Sequence, residues 1–540
     1  MARSWHVDHA PCQPLLVLDS VRRRWPRSVL QMAAGFWLFG ALVQIWRLLS
    51  LSATYDQALF LQELWSTAQG RPFESSLSSV LSGAVAVHGG LPRIDYLHLG
   101  QHANVLTLSV APLVALIGPW ALPLVQVSLL TAAGLVLWRL AAARLAPALA
   151  MRLTASYFLS GAVIGPMLEN FHDLIWLPLL GFLVVGALLD RRWWLLALAA
   201  PLLLLVREDS GLLLFSLGLW ACVRRPDARW AGAVLMLVSV LWVVLVTTGI
   251  QPLVDASLAD RFLQEKFGHL VTDVSGGTIS VLWAMLSRPG ALLQALVSPP
   301  GATLGFVLAL SLPLLFVPLL SVDAALMVAI PLLVALLSQG QTALSVTLRY
   351  VLALVPGLYM GSMLWWESHS GSWSQRWLQR SWIGAISLGL VITLVSNPHR
   401  SFSAVVPDSF VPWVHRSPAL MLQQRAAALS AVSLVPPEAS VAADTPLLPL
   451  LAQRPVAIRF PNGVRYLERD GRATSVDWVV AFPGYYTPMT PLFSWESGQR
   501  AEILRDLKAL QESGRYQQVY ERAGVVVLRR RAAASPPEPG

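Results

Sequence analysis

The stretch LLALAAPLLLLVREDSGLLLFSLGLWACV, residues 195–223, places three charged residues between two apolar runs with almost no room for a loop. Charge so close to hydrocarbon is costly, so such residues usually face a water-filled cavity and pair with one another or with a ligand. We therefore interpret this stretch as two membrane-crossing helices, 193–206 and 211–223, joined at the charged turn 207–209.

The composition extends this interpretation to the whole chain. Of 540 residues, 55% are hydrophobic and 13% are charged, and the mean hydropathy is +0.58. Apolar runs near spanning length recur along the sequence. The formal charge of +9 comes from arginines that lie in short connections beside apolar runs, which is typical of membrane orientation rather than of a nucleic-acid groove. The sequence predicts a polytopic membrane protein with no nucleic-acid partner.

Placing the arginine-rich connections inside threads the chain through the membrane about 11 times. The predicted spans are 29–49, 121–140, 153–168, 174–189, 193–206, 211–223, 230–250, 302–320, 324–337, 350–366 and 382–395. The segment 1–28 is then cytoplasmic, while a loop at 51–103 and a segment at 251–300 lie outside. The apolar piece 105–117 is interpreted as interfacial or re-entrant, because a crossing there would put the next arginines outside.

From about residue 397 the composition becomes that of a soluble α/β domain, 397–530, which the threading makes extracytoplasmic. Apolar periodicity predicts two strands and one helix in it, at 478–482, 525–528 and 502–510. The proline-rich tail 531–540 is expected to be disordered. The predicted fold class is mainly α, a transmembrane helix bundle at 29–396 followed by this α/β domain.

The motif TYDQ at 54–57 fits the start of a helix in the outer loop. Thr54 is expected to cap the helix while Gln57 reaches back to the backbone amide of the cap. Asp56 then lies in the first turn, where a helix N-terminus favours the ionised carboxylate. The alternative is that Asp56 only helps to start an interfacial helix that also carries Glu63.

His98 and His102 precede the re-entrant segment and are four residues apart, so that they would share one face of a helix. That spacing permits metal ligation or a paired polar contact. The pattern supplies no third ligand. A structural or substrate-contacting role is therefore the main interpretation, and a divalent metal ion is the alternative.

Three further motifs place polar groups on the predicted outer face: ENFHD at 169–173, RED at 207–209 and RY at 349–350. Arg207 either faces the cavity or forms a structural ion pair with its acidic neighbours. Arg349 suits a phosphate, because its planar fork binds oxyanions bidentately. The alternative for Arg349 is interfacial anchoring together with the adjacent tyrosine.

In chain order, these motifs resemble the bacterial membrane family catalogued as domain of unknown function 2079. The residues that carry the resemblance are YDQ at 55–57, HLGQH at 98–102, FH at 171–172, RED at 207–209, RY at 349–350 and the closing stretches 444–454 and 520–529. That family resembles the C-type glycosyltransferases, integral membrane enzymes that use polyprenyl-phosphate sugar donors. The resemblance implies that the acidic residue after the first span, here Asp56, is catalytic. The usual paired-acid motif is absent, because Gln57 follows.

These observations predict the transfer of a sugar from a polyprenyl-phosphate donor to an envelope glycan, lipid or protein acceptor at the outer face of the bacterial inner membrane. Asp56 would be the general base, and Arg349 with Arg207 would bind the donor phosphate. Residues expected to orient substrates are Tyr55, Glu63, His98, His102, His172, Glu208, Asp209 and Tyr350. The sequence requires no cofactor, and a divalent metal ion is the one alternative. Two other functions stay open: a transporter or lipid-handling protein for a phosphorylated lipid, and a non-catalytic scaffold of envelope assembly.

Overall fold

A computed structural model of the chain describes residues 25–258, 287–338, 344–490 and 492–531, together with residues 268 and 283. Three expectations lie wholly or mostly outside these residues. They concern the cytoplasmic N-terminal segment up to residue 24, the middle of the outer segment 251–300 and the disordered tail from residue 532.

The first described stretch is helical over most of its length. Its helices are α1 Arg27–Leu49, α2 Tyr55–Ala68, α3 Ser76–Ser79, α4 Gly83–Ala86, α5 Ala111–Ile117, α6 Ala121–Ala142, α7 Pro147–Phe158, α8 Gly161–Leu168, α9 Leu177–Asp190, α10 Trp193–Leu204, α11 Ser210–Arg224 and α12 Arg229–Val244. Helix α12 continues through a π-helical turn at Leu245–Ile250. It turns a row of exposed apolar side chains outward, including Leu237 and Leu241. Such a continuous apolar face is typical of a surface that contacts lipid.

The second part of the bundle follows the same pattern. Its helices are α13 Pro289–Leu296, α14 Pro300–Ser311, α15 Val322–Leu337, α16 Val355–Ser368 and α17 Arg376–Val395. By length and composition, six helical stretches of the described chain can cross a membrane, or seven if one pair bent by 61° counts as a single span. Several other expected spans, among them α10, α11 and α15, are shorter apolar helices. The bundle is confirmed, and the count of about 11 spans stays a prediction.

The segment before α6 is broken rather than a regular span. It begins with a 3₁₀ helix at Val105–Val110 and continues as α5, which at seven residues is too short to cross a bilayer. Gly118 then adopts φ = 60°, a conformation that L side chains rarely take, and the chain turns there into α6. The stretch Val105–Ala142 as a whole is one of the six that can cross a membrane, and the interfacial or re-entrant interpretation of 105–117 stays a prediction.

Helix α2 starts at Tyr55 as predicted, but the predicted capping box is wrong. The side chain of Thr54 makes no cap hydrogen bond, and its hydroxyl instead accepts a hydrogen bond from the amide of Asn170. The side-chain oxygen of Gln57 accepts a hydrogen bond from the backbone N–H of Phe171 at 2.8 Å. Both side chains thus tie α2 to the loop that follows α8, a long-range contact that the local pattern could not reveal.

The C-terminal domain is a small α/β unit. Its elements are β1 Ser409–Phe410, β2 Trp413–Val414, α18 Pro418–Val432, β3 Val441–Ala443, α19 Leu448–Leu451, β4 Ala457–Arg459, β5 Arg465–Leu467, β6 Ala473–Ser475, β7 Trp478–Ala481, α20 Pro483–Tyr486, α21 Ser494–Glu512, β8 Tyr516–Arg522 and β9 Val525–Arg530. The main sheet has the order β4-β3-β7-β9-β8, with β3 parallel to β4 and β7, and β9 antiparallel to β7 and β8. The predicted strands at 478–482 and 525–528 and the predicted helix at 502–510 are confirmed.

The two faces of this sheet pack against different partners, as the alternation of side chains along a strand requires. Val480 and Val527 belong to the core shared with the helix bundle, whereas Val479 and Leu528 face α21 in a second core. The amide of Gln62 in α2 also donates to a backbone carbonyl of the domain at 3.1 Å. The domain therefore sits on the end of the bundle that carries α2, which we call the α2 end.

Candidate functional site

The centre of the site is Phe60 of α2, whose ring packs edge-on against three aromatic rings from two loops. Ring centroids lie 5.7 Å from His98, 5.6 Å from Phe171 and 5.5 Å from His172. Residues four apart lie on the same face of a helix, so Asp56, one turn earlier, projects from α2 on the same side as Phe60. The predicted site residues thus gather at the α2 end.

Asp56 is the exposed carboxylate of this edge. Its side chain is 37% exposed, and its Oδ2 lies 3.5 Å from a guanidinium nitrogen of Arg349 and 3.5 Å from Nε2 of His172. Together with Glu169, these residues form what we call the Asp56 cluster: Asp56, Glu169, His172 and Arg349.

Arg349 is held in place by Glu169, a residue that the sequence analysis quoted in a motif but did not select for the site. One carboxylate oxygen of Glu169 accepts from the guanidinium of Arg349 at 2.5 Å, and the other accepts from its backbone N–H at 2.7 Å. The backbone carbonyl of Glu169 is fixed in turn by the side-chain amides of Gln44 and Gln126. The guanidinium also lies 5.0 Å from the ring centroid of Tyr350.

His172 is a neutral member of the Asp56 cluster. Arg349 has no acceptor atoms, so its guanidinium must donate to Nε2 of His172 across their 2.6 Å contact, and the ring proton then sits on Nδ1. Burial, reinforced by the charge of Arg349, lowers the pKa of His172 to about 3. The histidine is therefore uncharged at neutral pH and orients the arginine as an acceptor.

Asp56 is ionised at neutral pH. Burial favours its neutral acid, but the positive charges of Arg349 and Arg459 favour the carboxylate and hold the pKa of Asp56 below its usual range. Arg459 belongs to β4 of the C-terminal domain, and its guanidinium lies 5.0 Å from the ring centroid of Tyr55. Sequence reasoning missed Arg459, because nothing local connects that strand with α2.

A second group of charges, the Arg207 cluster, contains Asp173, Arg207, Glu208 and Asp209. Arg207 donates through Nε to one oxygen of Asp209 at 2.7 Å and through Nη2 to the other, and its Nη1 lies 3.8 Å from Asp173. Nε also lies 3.9 Å from Glu208. The side chain of Arg207 is only 5% exposed, so one buried arginine is surrounded by three carboxylates.

Glu208 joins the Arg207 cluster to the histidine turn. One oxygen contacts Nδ1 of His102 at 2.8 Å, and the other accepts from the backbone N–H of Ala103 at 2.9 Å. The expectation that His98 and His102 share an α-helix is wrong, because residues His98–Gly100 form a 3₁₀ turn. The two rings nevertheless lie 5.9 Å apart.

Three other predicted residues are buried and committed to local contacts. Nδ1 of His98 contacts the hydroxyl of Ser78 at 3.0 Å, and the hydroxyl of Tyr55 donates to the carbonyl of Leu77. The carboxylate of Glu63 accepts from the amide of Asn104 at 3.0 Å. Burial raises the pKa of Glu63 well above its ordinary value. These side chains are buried and support the structure of the α2 end.

The part of the chain that the structure describes contains no cluster of side chains that could bind a metal ion. No group of three or more His, Cys, Asp or Glu side chains converges there in a way that could hold an ion. The alternative of a divalent metal ion thus rests on the spacing of the two histidines alone.

An apolar cavity of about 120 Å³ adjoins the Arg207 cluster and reaches Tyr350, the neighbour of Arg349. Its walls are mainly leucine, valine and proline side chains of α11 and α15 and of the segment that leads into α9, and its polar margin contains Arg207, Asp209 and Tyr350. A pocket with apolar walls and a few convergent polar groups is the usual form of a site for an amphiphilic ligand.

Comparison with known proteins assigns the chain to a family. The model of the family described as "Predicted membrane protein (DUF2079)" matches residues 47–527. No match to a curated protein was found. Among solved structures, the crystal structure of ArnT from Cupriavidus metallidurans bound to undecaprenyl phosphate is 12% identical, with a TM-score of 0.47, over 93% of this chain and 99% of that one. This similarity is too low to assign an activity. The family match covers most of the sequence, and the chain therefore belongs to the DUF2079 family of predicted membrane proteins.

Proposed function

We propose that this protein is a membrane glycosyltransferase that moves a sugar from a polyprenyl-phosphate donor to a hydroxyl of an envelope acceptor, with inversion at the anomeric carbon. The observation that carries the proposal is Asp56, an ionised and partly exposed carboxylate 3.5 Å from an arginine that a second carboxylate holds. A general base must reach the acceptor proton while a cation faces the leaving phosphate. The resemblance to C-type glycosyltransferases supports the same role for Asp56.

In the proposed step, the acceptor oxygen attacks the anomeric carbon and a new C–O bond forms. The bond between that carbon and the phosphate oxygen breaks, and the polyprenyl phosphate leaves with the electron pair. The proton of the acceptor hydroxyl passes to Asp56 and then to solvent. Arg349 stabilises the negative charge that develops on the phosphate, as preorganised donors do in other transfer reactions.

Binding of the donor would also adjust the basicity of Asp56. In the free protein the positive charge of Arg349 helps to depress the pKa of Asp56, which makes the carboxylate a weak base. A phosphate that draws the charge of Arg349 toward itself raises that pKa. The carboxylate then becomes a better base when the donor is in place.

The lipid part of the donor is proposed to occupy the apolar cavity beside Tyr350. The ring of Tyr350 lies against the guanidinium of Arg349, so a phosphate at the mouth of the cavity would be near that arginine. Arg207 lines the same cavity, but its three neighbouring carboxylates oppose an added anion. We therefore give the main phosphate contact to Arg349 and a longer-range role to Arg207.

Mass spectrometry of envelope glycans and lipid-linked sugars in a deletion strain tests this proposal. The strain should lose one glycosylated envelope product and accumulate one polyprenyl-phosphate sugar. The wild-type gene should reverse both changes, whereas the Asp56→Asn variant should reach the membrane in normal amounts and reverse neither. Unchanged glycans and lipid-linked sugars in the deletion strain would refute transfer and favour the scaffold alternative.

A further inference from the structure

A second cavity, of about 160 Å³, lies between the C-terminal domain and the ends of α1 and α2. Ser52 and Thr54 line it from the helix bundle, and Arg416, Tyr485 and Trp495 line it from the domain. Thr54 directly precedes α2 and is two residues before Asp56 in the sequence. The cavity therefore reaches the start of α2. It is distinct from the apolar cavity beside Tyr350, with which it shares no lining residue.

Arg416 is a buried cation without a counter-charge. It is 3% exposed, its guanidinium lies 4.3 Å from the ring centroid of Tyr485, and it donates to the side-chain oxygen of Gln424 at 3.3 Å. Its Nε has no hydrogen-bond partner, and no carboxylate of the described residues forms an ion pair with it. An unpaired buried charge is costly unless a ligand or another group completes its environment.

Arg47 adds a second such charge directly behind the cavity wall. It is also 3% exposed, and it donates to the backbone carbonyls of His399 and Ser52, two residues that line the cavity. Within the described chain, its contacts are with carbonyl, amide and hydroxyl oxygens rather than with a carboxylate. Two buried arginines therefore raise the positive potential of this cavity.

Nearby acids do not neutralise that potential. Glu496 is paired with Arg400 at 2.6 Å, so this pair contributes little net charge. Asp444 precedes Thr445 of the cavity wall, and burial raises its pKa to about 8. At neutral pH Asp444 is largely protonated, and the cavity keeps a positive balance.

Arg459 connects this cavity with Asp56. Its charge acts on Asp56 and on Tyr486, another residue of the cavity wall. Its Nε is buried without a hydrogen-bond partner, and its described contact is with the ring of Tyr55. Arg459 does not line the cavity, so it adds to the positive potential there only at longer range.

The aromatic side chains that line the cavity indicate that the ligand carries a sugar ring as well as a phosphate. Tyr485, Tyr486 and Trp495 line the cavity, and the hydroxyl of Tyr486 is buried without a hydrogen-bond partner. The C–H face of a sugar ring packs well on such aromatic faces, while its hydroxyls hydrogen-bond to neighbouring polar groups. A bare phosphate would use the arginines but not the rings.

We propose that the cavity between the C-terminal domain and the ends of α1 and α2 binds a phosphate-bearing saccharide, with Arg416 on the phosphate and the aromatic side chains on the sugar. The site stands independently of any reaction. Only its naming as the acceptor site, from which a saccharide hydroxyl reaches Asp56, rests on the proposed function.

Equilibrium dialysis of the full-length protein in detergent against radiolabelled glucose 1-phosphate tests the site. We expect saturable binding that is stronger than binding of glucose or of inorganic phosphate. Arg416→Gln should weaken it about 10- to 100-fold, which is typical of a lost hydrogen bond to a charged group, and Arg459→Gln should weaken it less, because Arg459 does not line the cavity. Arg465→Gln is the matched control: Arg465 is exposed on β5 and does not line the cavity, so binding should not change.

Trp495→Ala keeps the test decisive if Arg416→Gln fails to fold, because Trp495 is largely exposed. It should weaken glucose 1-phosphate binding and leave phosphate binding unchanged. Binding in a protein that transfers no sugar would retain this site and contradict the proposed reaction. Absence of glucose 1-phosphate binding, or binding that Trp495→Ala does not weaken, would overturn the site even in an active transferase.

Discussion

The Asp56 cluster and the Arg207 cluster lie side by side at the α2 end, and each contains one central arginine. In the Asp56 cluster, Arg349 meets two carboxylates and is 21% exposed. In the Arg207 cluster, the arginine meets three carboxylates and is 5% exposed. An incoming phosphate would find a shared and accessible cation at the first cluster and an excess of negative charge at the second.

The comparison shows that an arginine among carboxylates has a structural role in one cluster and a proposed ligand-binding role in the other. A buried arginine that is saturated by carboxylates stabilises its surroundings through those pairs and has little capacity left for a ligand. A partly exposed arginine that shares one contact with an exposed carboxylate can exchange that contact for substrate. We therefore assign the proposed chemistry to the Asp56 cluster and a stabilising role to the Arg207 cluster.

The largest expected effect is that of Asp56→Asn on turnover. The amide has a similar shape but cannot take the proton, so the rate should fall about 10²- to 10⁴-fold with donor binding largely kept. Asp209→Asn is the matched control, because the two aspartates are similarly exposed, at 37% and 38%. Its turnover should fall less than about tenfold. Equal losses in the two variants, measured as single-turnover rates, would remove the distinction between the clusters.

Arg207→Gln should mainly reduce stability. The substitution leaves three carboxylates near one another without their cation, a change that typically costs about 3 to 5 kcal/mol when the pair is buried. Thermal unfolding of the purified protein in detergent measures the effect, with Arg191→Gln, at an exposed ion pair, as the control. A variant as stable as the wild type but unable to bind donor would instead make Arg207 a ligand-binding residue.

Arg349→Lys should weaken donor binding by about ten- to a hundredfold and also reduce turnover. Lysine keeps the charge but loses the fork that spans Glu169 and a phosphate together. Donor titration of the purified variant gives the binding constant. If the variant binds donor normally, the phosphate contact lies elsewhere.

The smallest expected effect concerns pH. Because the pKa of Asp56 is lowered and that of His172 is about 3, neither group changes its charge between pH 6 and 8. The contribution of the Asp56 carboxylate is present above its ordinary pKa of about 3.9 and is lost only as the pH falls through its lower folded value. The profile of kcat/KM should therefore show no acid limb from this cluster above pH 5. A limb near pH 6.5 that Asp56→Asn leaves unchanged would point to a histidine as the base.

Much of the fold could be predicted, because a bilayer demands long apolar helices and their composition is visible in the sequence. Strands β7 and β9 were recognisable from their apolar runs. Strands β3 to β6 have three residues each. Such strands are too short for an alternation of apolar and polar residues to be distinguished from chance. The span count was the least certain part, since helices such as α10 and α11 are shorter than a bilayer requires.

The site was predictable where charge interrupts hydrocarbon, because such residues need a reason to be there. Asp56, His172, Arg207 and Arg349 all carry that signal. The residues that act on them or fix their elements carry no such signal in the sequence. Gln57 follows a local capping pattern yet binds a distant loop, and Arg459 lies in a polar domain where one more arginine is unremarkable in the sequence.

The most direct test of the central claim follows polyprenyl phosphate, the product that every such transfer shares whatever the sugar. Purified wild-type protein would be mixed with a lipid extract of the deletion strain, and lipids would be quantified by mass spectrometry. We predict that one polyprenyl-phosphate sugar disappears and an equal amount of polyprenyl phosphate appears together with a glycosylated acceptor, and that Asp56→Asn produces neither. Equal conversion by wild type and Asp56→Asn, or loss of the lipid-linked sugar without release of polyprenyl phosphate, would contradict the account.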